Sequence, residues 1–209
     1  MTKNSEKLIE SYEISKQSID GVINPLEVIQ LFEKHQIEYM LVGGHMLAYH
    51  TDNPRATVDV DFIIAKKDFK QAVSIINNVY PNLILNDKNH HITFDDKNDT
   101  SKHSERIDLI KDEFPLFKLV LKSIQNTNEE IKIPILEAAI VLKFAACISP
   151  NRPEEDKLVD QADLIQLIKS NNNLNKKIVS TLSESIYTGG SNELMQVIED
   201  VLNNKAINL

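Results

Sequence analysis

The chain has 209 residues, of which 42% are hydrophobic and 26% are charged, and its formal net charge at pH 7 is −8. These proportions are ordinary for a folded globular protein, so they exclude a wholly disordered chain and a fibrous repeat. The negative charge disfavours a non-specific nucleic-acid binder, because such binding rests on Lys and Arg neutralising phosphates. The net charge is still compatible with a local basic patch.

The sequence offers no membrane segment. No stretch approaches the roughly 18 uncharged apolar residues that can span a bilayer, and the first residues lack the apolar core of a signal peptide. We therefore expect a cytoplasmic protein without membrane association. The only cysteine, Cys147, lies in the apolar segment IVLKFAACI and is expected to be a small buried hydrophobe. A disulfide within the chain is excluded.

The first part of the chain predicts alternating helices and strands. Residues 5–19 are weakly amphipathic, and a helix is expected to begin at Pro25 with Asn24 as its N-cap. EYMLVGG predicts a strand that ends at two glycines, and HMLAYH predicts a helix. TVDVDFIIA predicts a strand, and a helix capped by Asp68 follows. Three more strands are expected in NLILN, HHITFDD and ERIDLIK, and the polar segment DDKNDTSKHS is expected to be a loop.

From Phe114 onward the pattern is almost entirely helical. Helices are predicted in PLFKLVLKSIQ, ILEAAIVLKFAACI, EEDKLVDQADLIQLIKS, LNKKIVSTLSESIY and SNELMQVIEDVLNN, with IKI as a short strand or an extended link. We predict an α/β domain at residues 1–133, with its core at 24–112, and a helical C-terminal domain at 134–209.

Two acidic residues inside an apolar strand carry the strongest chemical signal. Asp59 and Asp61 lie two residues apart in VDVDFII, so both carboxylates project from one face of the strand, where they repel each other unless cations lie between them. Asp108 repeats the pattern in RIDLI. Hard oxygen ligands without a companion cysteine favour Mg²⁺ or Mn²⁺ over Zn²⁺. A two-metal site with a nucleoside triphosphate as co-ligand is therefore expected.

The turn at Gly43-Gly44 is the candidate phosphate site. It joins a strand to a helix, where backbone N–H groups at the helix N-terminus stabilise an anion. A Gly-Gly pair after a strand is by itself more often a plain tight turn. Arg55 and Thr57, just before the aspartate pair, make the pattern more specific, although Arg55 is also compatible with a surface cation and Thr57 with an ordinary strand residue.

The segment GGHMLAYHTDNPRATVDVDFII resembles the DNA polymerase β-like nucleotidyltransferase superfamily, which has a Gly-rich turn, a helix and a paired-Asp strand, and ERIDLI resembles the strand with the third acid. The nearest pattern is that of small bacterial nucleotidyltransferases of toxin–antitoxin and abortive-infection type, whose Arg-x-Thr is matched by Arg55 and Thr57. Lys143 and DKLVDQADL match a later Lys and a Lys/Asp-rich helix loosely. The resemblance covers residues 37–112, and more weakly extends to about 168. Many members have Gly-Ser where this chain has Gly43-Gly44, so one hydroxyl contact to phosphate is missing.

The resemblance implies an α+β fold, in which a nucleotidyltransferase-type mixed β-sheet is flanked by helices and followed by a helical C-terminal part. It also implies transfer of a nucleoside monophosphate from a nucleoside triphosphate such as ATP to a hydroxyl, with release of pyrophosphate. Asp59 and Asp61 would hold both metal ions, and Asp108 would complete the shell of the one that activates the acceptor. Triphosphate contacts would come from Gly43, Gly44, Arg55, Thr57 and Lys143.

Several alternatives stay open. An inactive protein of the same fold would act as a binding partner or an antitoxin, and an aminoglycoside-type resistance enzyme would keep the chemistry and change the acceptor. The acceptor is an RNA such as tRNA, a protein or a small molecule, and a cognate toxin or antitoxin partner is compatible with the pattern. A tRNA acceptor needs a basic groove, for which the candidates are Lys111, Lys118, Lys122 and Lys132.

Three further interpretations concern single side chains. Lys143 lies in an apolar helix, from which it either reaches the surface or contacts a phosphate. Asp160 and Asp163 are expected on a solvated helix face. His45 follows the glycines and is a weak candidate for nucleotide contact, whereas His90-His91 and His103 lack metal-site spacing and are expected to face solvent.

Overall fold

The computed structural model of the chain describes residues 3–18, 22–52, 55–97, 106–123, 131–171, 173–207 and 209. The helices and strands follow the order α1 (Lys3–Ser18), α2 (Pro25–Lys34), β1 (Tyr39–Leu41), α3 (Gly43–His50), β2 (Asp59–Ile64), α4 (Phe69–Val79), β3 (Leu83–Asp87), β4 (His91–Asp96), β5 (Arg106–Lys111), α5 (Pro115–Lys122), α6 (Leu136–Cys147), α7 (Glu154–Lys169), α8 (Lys176–Glu184) and α9 (Gly190–Leu202). The expected loop between β4 and β5 lies largely outside the described residues, as does His103.

The strands form one mixed sheet in the order β1-β2-β5-β4-β3. Strands β2 and β5 run parallel, and the other neighbouring pairs are antiparallel. The long connection between β2 and β5, which holds α4 and the β3–β4 hairpin, lets these two strands lie side by side with the same direction. The two acidic strands of the sequence are therefore neighbours at the centre of the sheet.

The two faces of the sheet differ in polarity because side chains alternate along each strand. One face carries Val60, Phe62 and Ile64 of β2 and packs with α2 and α4 into an apolar cluster. Rings from these elements meet edge to face there, with 5.1 Å between the centroids of Phe32 and Phe62. The other face is divided, because its apolar part, which includes Ile63, packs against the C-terminal helices, whereas Asp59 and Asp61 occupy the start of β2.

Local sequence signals explain most helix starts. Asn24 caps α2 as expected, and its side chain accepts the N–H of Leu26 at 3.0 Å. Asp68 stands at the N-cap position of α4, but its side chain accepts the N–H of Glu38 at 2.9 Å and makes no capping bond in α4. Cys147 is buried, as expected, and burial raises the pKa of its thiol to about 12.

The expected fold class is confirmed: a mixed sheet is flanked by helices, and α6 to α9 follow it. One apolar cluster joins the parts of the chain before and after residue 133, with Met40 and Ile63 packed among Ala138 and Phe144. The predicted domain boundary after residue 133 stays a prediction. No helix in the described part of the chain is both long and apolar enough to cross a membrane.

Candidate active site

The two acidic strands place Asp61 and Asp108 side by side. These residues are direct partners in the parallel register of β2 and β5, and Asp59 lies two residues before Asp61. Register partners on neighbouring strands project from the same face and are about 4.8 Å apart along the hydrogen-bonding direction. Asp108 is buried, whereas Asp59 and Asp61 are half-buried. The backbone thus brings all three predicted carboxylates to one patch of the sheet.

The Gly43-Gly44 turn lies directly against this patch. Gly43 has φ +66°, and a Cβ atom there would come within 1.8 Å of Oδ2 of Asp61. A Cβ atom on Gly44 would come within 2.5 Å of Oγ1 of Thr57. The N–H of Val42 donates to the carbonyl oxygen of Asp61 at 2.9 Å, which holds the turn against β2. Both glycines are therefore required by close approach, and the first also by its backbone conformation.

The donor set suits a hard divalent cation, because carboxylate oxygens are the ligands that Mg²⁺ and Mn²⁺ prefer. Glycine at position 43 leaves the carboxylate of Asp61 beside the N-terminus of α3 with no intervening side chain. Among the described residues, however, no three His, Cys, Asp or Glu side chains are grouped closely enough to hold a metal ion. The backbone arrangement fits such a site, while the side chains as they stand do not enclose one.

Replacing Gly43 by alanine tests this close approach. We expect Gly43→Ala to lower stability by about 1–3 kcal/mol from backbone strain alone, with a further loss because the new methyl group displaces the Asp61 carboxylate. Gly189→Ala is the matched control, since Gly189 also has a positive φ, +96°, but no atom lies within 4 Å of its added Cβ. Denaturant unfolding should rank Gly43→Ala as the more damaging change. Equal losses would mean that the Asp61 contact has no energetic weight.

A buried charge network connects the loop before β2 to the C-terminal helices. Nε and Nη2 of Arg55 each donate to a different carboxylate oxygen of Asp163 on α7, both at 2.9 Å. Nζ of Lys143 on α6 lies 2.7 Å from Asp163 and 2.8 Å from Asp160. The guanidinium of Arg152 completes the network through a short contact with Asp160. Three cations thus share two carboxylates.

The charges in this network shift the affinities of its members for protons. Burial favours the neutral form of Asp163, but the hydrogen bonds and charges of Arg55 and Lys143 outweigh burial and hold its pKa below the ordinary value. Burial also works against the charged form of Arg55, yet Asp163, then Asp160 and Asp61, raise its pKa. Arg55 is thus the member of the network whose charge is coupled to that of Asp61.

The expectation that Asp160 and Asp163 lie on a solvated helix face was wrong, since they are only 1% and 2% exposed. Their spacing places them on the same side of α7 as the buried Leu164 and Leu167. Acids at apolar positions of a helix are the same signal that singled out the strand aspartates. Lys143 is buried, and its ammonium group contacts both acids, so it does not reach the surface.

Helix α1 packs beside the start of α3 through polar contacts that the sequence did not predict. Oγ of Ser11 lies 3.1 Å from Nδ1 of His45, and Oγ of Ser15 accepts the N–H of Thr57 at 3.0 Å. Nε2 of His45 is buried without a hydrogen-bond partner among the described residues. Burial, and then the charge of Arg55, lower the pKa of His45 to about 4.

This histidine should make the protein acid-sensitive. Its folded pKa of about 4 lies below the ordinary value of 6.5, so the unfolded chain takes up a proton first as the pH falls. Its contribution to stability is complete above pH 6.5 and is lost between pH 6.5 and 4, by about 3 kcal/mol at roughly 1.4 kcal/mol per unit. In His45→Gln, the free energy of unfolding measured with urea should depend less on pH in this window. In His35→Gln, at an exposed position, it should depend on pH as in the wild type. A wild-type slope in His45→Gln would contradict the assignment.

The lysines considered for a basic groove are distributed unevenly. Lys111 pairs with Glu113 at 2.9 Å, and Lys132 pairs with Glu33 at 2.7 Å. The other two line an open cavity of about 330 Å³, whose walls include Lys66, Lys67, Lys118, Lys122, Glu38 and Asp112. This cavity lies beyond Ile64, at the end of β2 that is opposite to Asp59. His90 is exposed, as expected, and pairs with Glu113 at 3.0 Å.

Comparison with solved structures gives the fold. A crystal structure of an antigenic nucleotidyltransferase-like protein from Paracoccidioides brasiliensis matches with a TM-score of 0.52 and 14% identity, and the match covers 98% of this chain and 95% of that one. This chain has a nucleotidyltransferase-type fold. The protein JHP933 from Helicobacter pylori is also similar, with a TM-score of 0.46 and 18% identity over 96% of this chain and 78% of that one. No protein-family profile matches the sequence, and a search of curated proteins finds no relative.

The match to the Paracoccidioides brasiliensis protein covers 98% of this chain, so the C-terminal helices belong to the matched architecture. At this identity the likeness concerns the fold alone. The chemistry depends on the side chains of this protein, which the fold does not determine.

Proposed function

We propose that the protein is a metal-dependent nucleotidyltransferase that moves a nucleoside monophosphate from a nucleoside triphosphate to a hydroxyl acceptor and releases pyrophosphate. The observation that carries the proposal is the pairing of Asp61 with Asp108 on neighbouring parallel strands, with the side chain of Asp61 against Gly43. Two carboxylates on one patch of a sheet, next to a helix N-terminus, combine a cation site with an anion site.

The three aspartates would act as ligands of Mg²⁺ or Mn²⁺. Asp59 and Asp61 would hold both ions, and Asp108 would complete the shell at the acceptor and help to remove the proton from its hydroxyl. Bound divalent ions supply charge neutralisation at the reacting phosphate and lower the pKa of the attacking hydroxyl. Carboxylate oxygens from two neighbouring strands are ligands of the kind that these ions prefer, which supports this role.

The opposite side of the site would bind the phosphates of the triphosphate. The turn at Gly43-Gly44 offers backbone N–H groups, and Thr57 packs against it with its own N–H engaged by Ser15. Arg55 retains partial exposure and carries the positive charge next to this turn. Lys143 would act on the phosphates indirectly, through its contacts with Asp160 and Asp163. Positioning and charge neutralisation account for most of the acceleration in such reactions.

The acceptor and any partner stay open in this proposal. An anionic acceptor such as RNA would contact Lys118 and Lys122 in the lysine-lined cavity and extend from this cavity along β2 to the aspartate patch. The negative net charge suits a cationic small molecule or a protein hydroxyl instead. The alternatives are an inactive scaffold of the same fold and a protein that acts with a toxin or antitoxin partner. Thermal unfolding with ligands and labelling of acceptors would separate them from the enzyme.

Thermal unfolding with ligands tests the proposal. The fold should be stabilised by a triphosphate together with Mg²⁺ or Mn²⁺, and only slightly by either alone, because the metal site and the phosphate site complete each other. At about 100 times its dissociation constant a ligand contributes roughly 2.7 kcal/mol, and a chain of this size gains about 2–4 °C in Tm per kcal/mol. The combined shift should therefore be about 5–10 °C.

Incubation with each labelled triphosphate in cell lysate should then reveal which RNA, protein or small molecule gains a nucleotide. The absence of a combined shift with all four common triphosphates would favour the inactive scaffold. A shift without any labelled product would point to nucleotide binding without transfer.

A further inference from the structure

Asp163 is the point at which the C-terminal helices reach the candidate site. Its two carboxylate oxygens accept hydrogen bonds from Nε and Nη2 of Arg55, each at 2.9 Å. A bidentate pair of this kind sets the plane of the guanidinium as well as its position, which a single hydrogen bond does not. Because the Asp163 side chain is only 2% exposed, the core of the protein anchors this geometry.

The guanidinium of Arg55 keeps donors for another ligand. A guanidinium carries five N–H donors. Asp163 accepts two of them, and the carbonyl oxygen of Ala56 accepts a third from Nη1 at 3.1 Å. The remaining donors lie on the two terminal nitrogens, and the side chain is 37% exposed. Arg55 is therefore held firmly on one side and is accessible on another.

The location of Arg55 points to an anion at the Gly43-Gly44 turn. Arg55 lies two residues before Thr57, whose side chain packs against Gly44. Its charge also acts on Asp61 and on His45, which directly follows the turn. Arg55 therefore combines an electrostatic influence on Asp61 with N–H donors that no described residue accepts.

Stability alone does not account for this network. Buried ion pairs recover little more than the cost of removing their charges from water, and apolar residues of similar volume often stabilise a protein equally well. The network also holds three cations, Arg55, Lys143 and Arg152, against two carboxylates. Because Asp61 also acts on Arg55, this excess positive charge would be available to a phosphate once divalent ions neutralise the aspartates.

We infer that Asp163 is a positioning residue, which holds the Arg55 guanidinium beside the Gly43-Gly44 turn so that its remaining N–H donors bind the phosphates of the triphosphate. Lys143 and Asp160 hold Asp163 in turn. The inference rests on the proposed function and assigns to α6 and α7 the role of orienting a phosphate-binding arginine.

Isothermal titration with Mg²⁺-pyrophosphate and with a Mg²⁺-triphosphate tests this role in the full chain. Arg55→Gln, Arg55→Lys and Asp163→Asn should each weaken binding by about tenfold to a hundredfold, the range expected for hydrogen bonds to a charged group. Arg55→Lys belongs to this group because lysine keeps the charge but lacks the planar fork. Asp200→Asn on α9 is the matched control, since it removes a carboxylate that pairs with Lys205 at 3.4 Å outside this network, and it should weaken binding less than threefold.

The double variant Arg55→Gln/Asp163→Asn separates positioning from a merely structural role. If Asp163 acts through Arg55, the double variant binds no more weakly than Arg55→Gln, although its melting temperature falls further. Additive losses of affinity would overturn the inference, as would unchanged binding in folded Asp163→Asn. If Asp163→Asn does not fold, the affinity of Arg55→Lys for the two probes is the test. Wild-type affinity in that variant would overturn the inference.

The two probes keep this inference apart from the proposed function. One outcome is that the variants show the expected losses of pyrophosphate affinity while the wild type transfers no nucleotide. That result would support the positioning role and contradict the proposed enzyme activity. Nucleotide transfer by Asp163→Asn at the wild-type rate would support the enzyme activity and contradict the positioning role. A wild-type protein that binds neither probe would overturn both.

Discussion

Asp59→Asn should abolish nucleotide transfer and the metal-dependent stabilisation while leaving the empty protein as stable as the wild type, or slightly more so. The substitution nearly preserves volume and removes one of the carboxylates that repel each other on the same face of β2. It also removes a proposed ligand that both metal ions share. Since bound metal ions contribute several kcal/mol of transition-state stabilisation, transfer should fall by roughly a thousandfold or more.

The measurements are the transfer rate with saturating triphosphate and the Tm with and without Mg²⁺ plus triphosphate. Asp87→Asn is a suitable control, because Asp87 is an exposed aspartate on β3, far from β2 in the strand order. It should retain both the rate and the shift of about 5–10 °C expected from ligand linkage. Full activity of Asp59→Asn would show that the site has been assigned to the wrong residues.

Lys143→Met should produce a large loss of stability. The methionine keeps much of the aliphatic volume but removes the ammonium group that contacts Asp160 and Asp163. Breaking a buried ion pair by deleting one partner costs about 3–5 kcal/mol. The lower end, about 3 kcal/mol, is expected because each carboxylate keeps one arginine, and the Tm should fall by roughly 6–12 °C.

Lys157→Met on α7 provides the comparison, since Lys157 pairs with the exposed Glu154 at 2.9 Å. Such surface pairs contribute at most about 1 kcal/mol. Urea unfolding of both variants at neutral pH would measure the difference. A loss in Lys143→Met that does not exceed the loss in Lys157→Met would mean that the buried network is not energetically coupled.

The sequence predicted the parts of the candidate site at which a residue type is unusual for its surroundings, such as an acid in an apolar strand. Acids at alternate positions of a β-prone segment signalled the face of β2 that carries Asp59 and Asp61, and a Gly pair between a strand and a helix signalled the turn. Asp160 and Asp163 carried the same conflict on α7 but were assigned to solvent. Helical spacing places a residue on a face but does not say which face is covered by another part of the chain.

The sequence by itself determined the helices and strands and the alternation that puts Asp59 and Asp61 on one face, because these depend on neighbours within a few residues along the chain. Only the tertiary structure decided that Asp61 faces Asp108, since the register of β2 and β5 depends on the long connection between them. It alone also decided that Asp163 holds Arg55, a contact between residues 108 positions apart. Burial and ion pairing depend on which distant surfaces meet, and local propensity does not encode that choice.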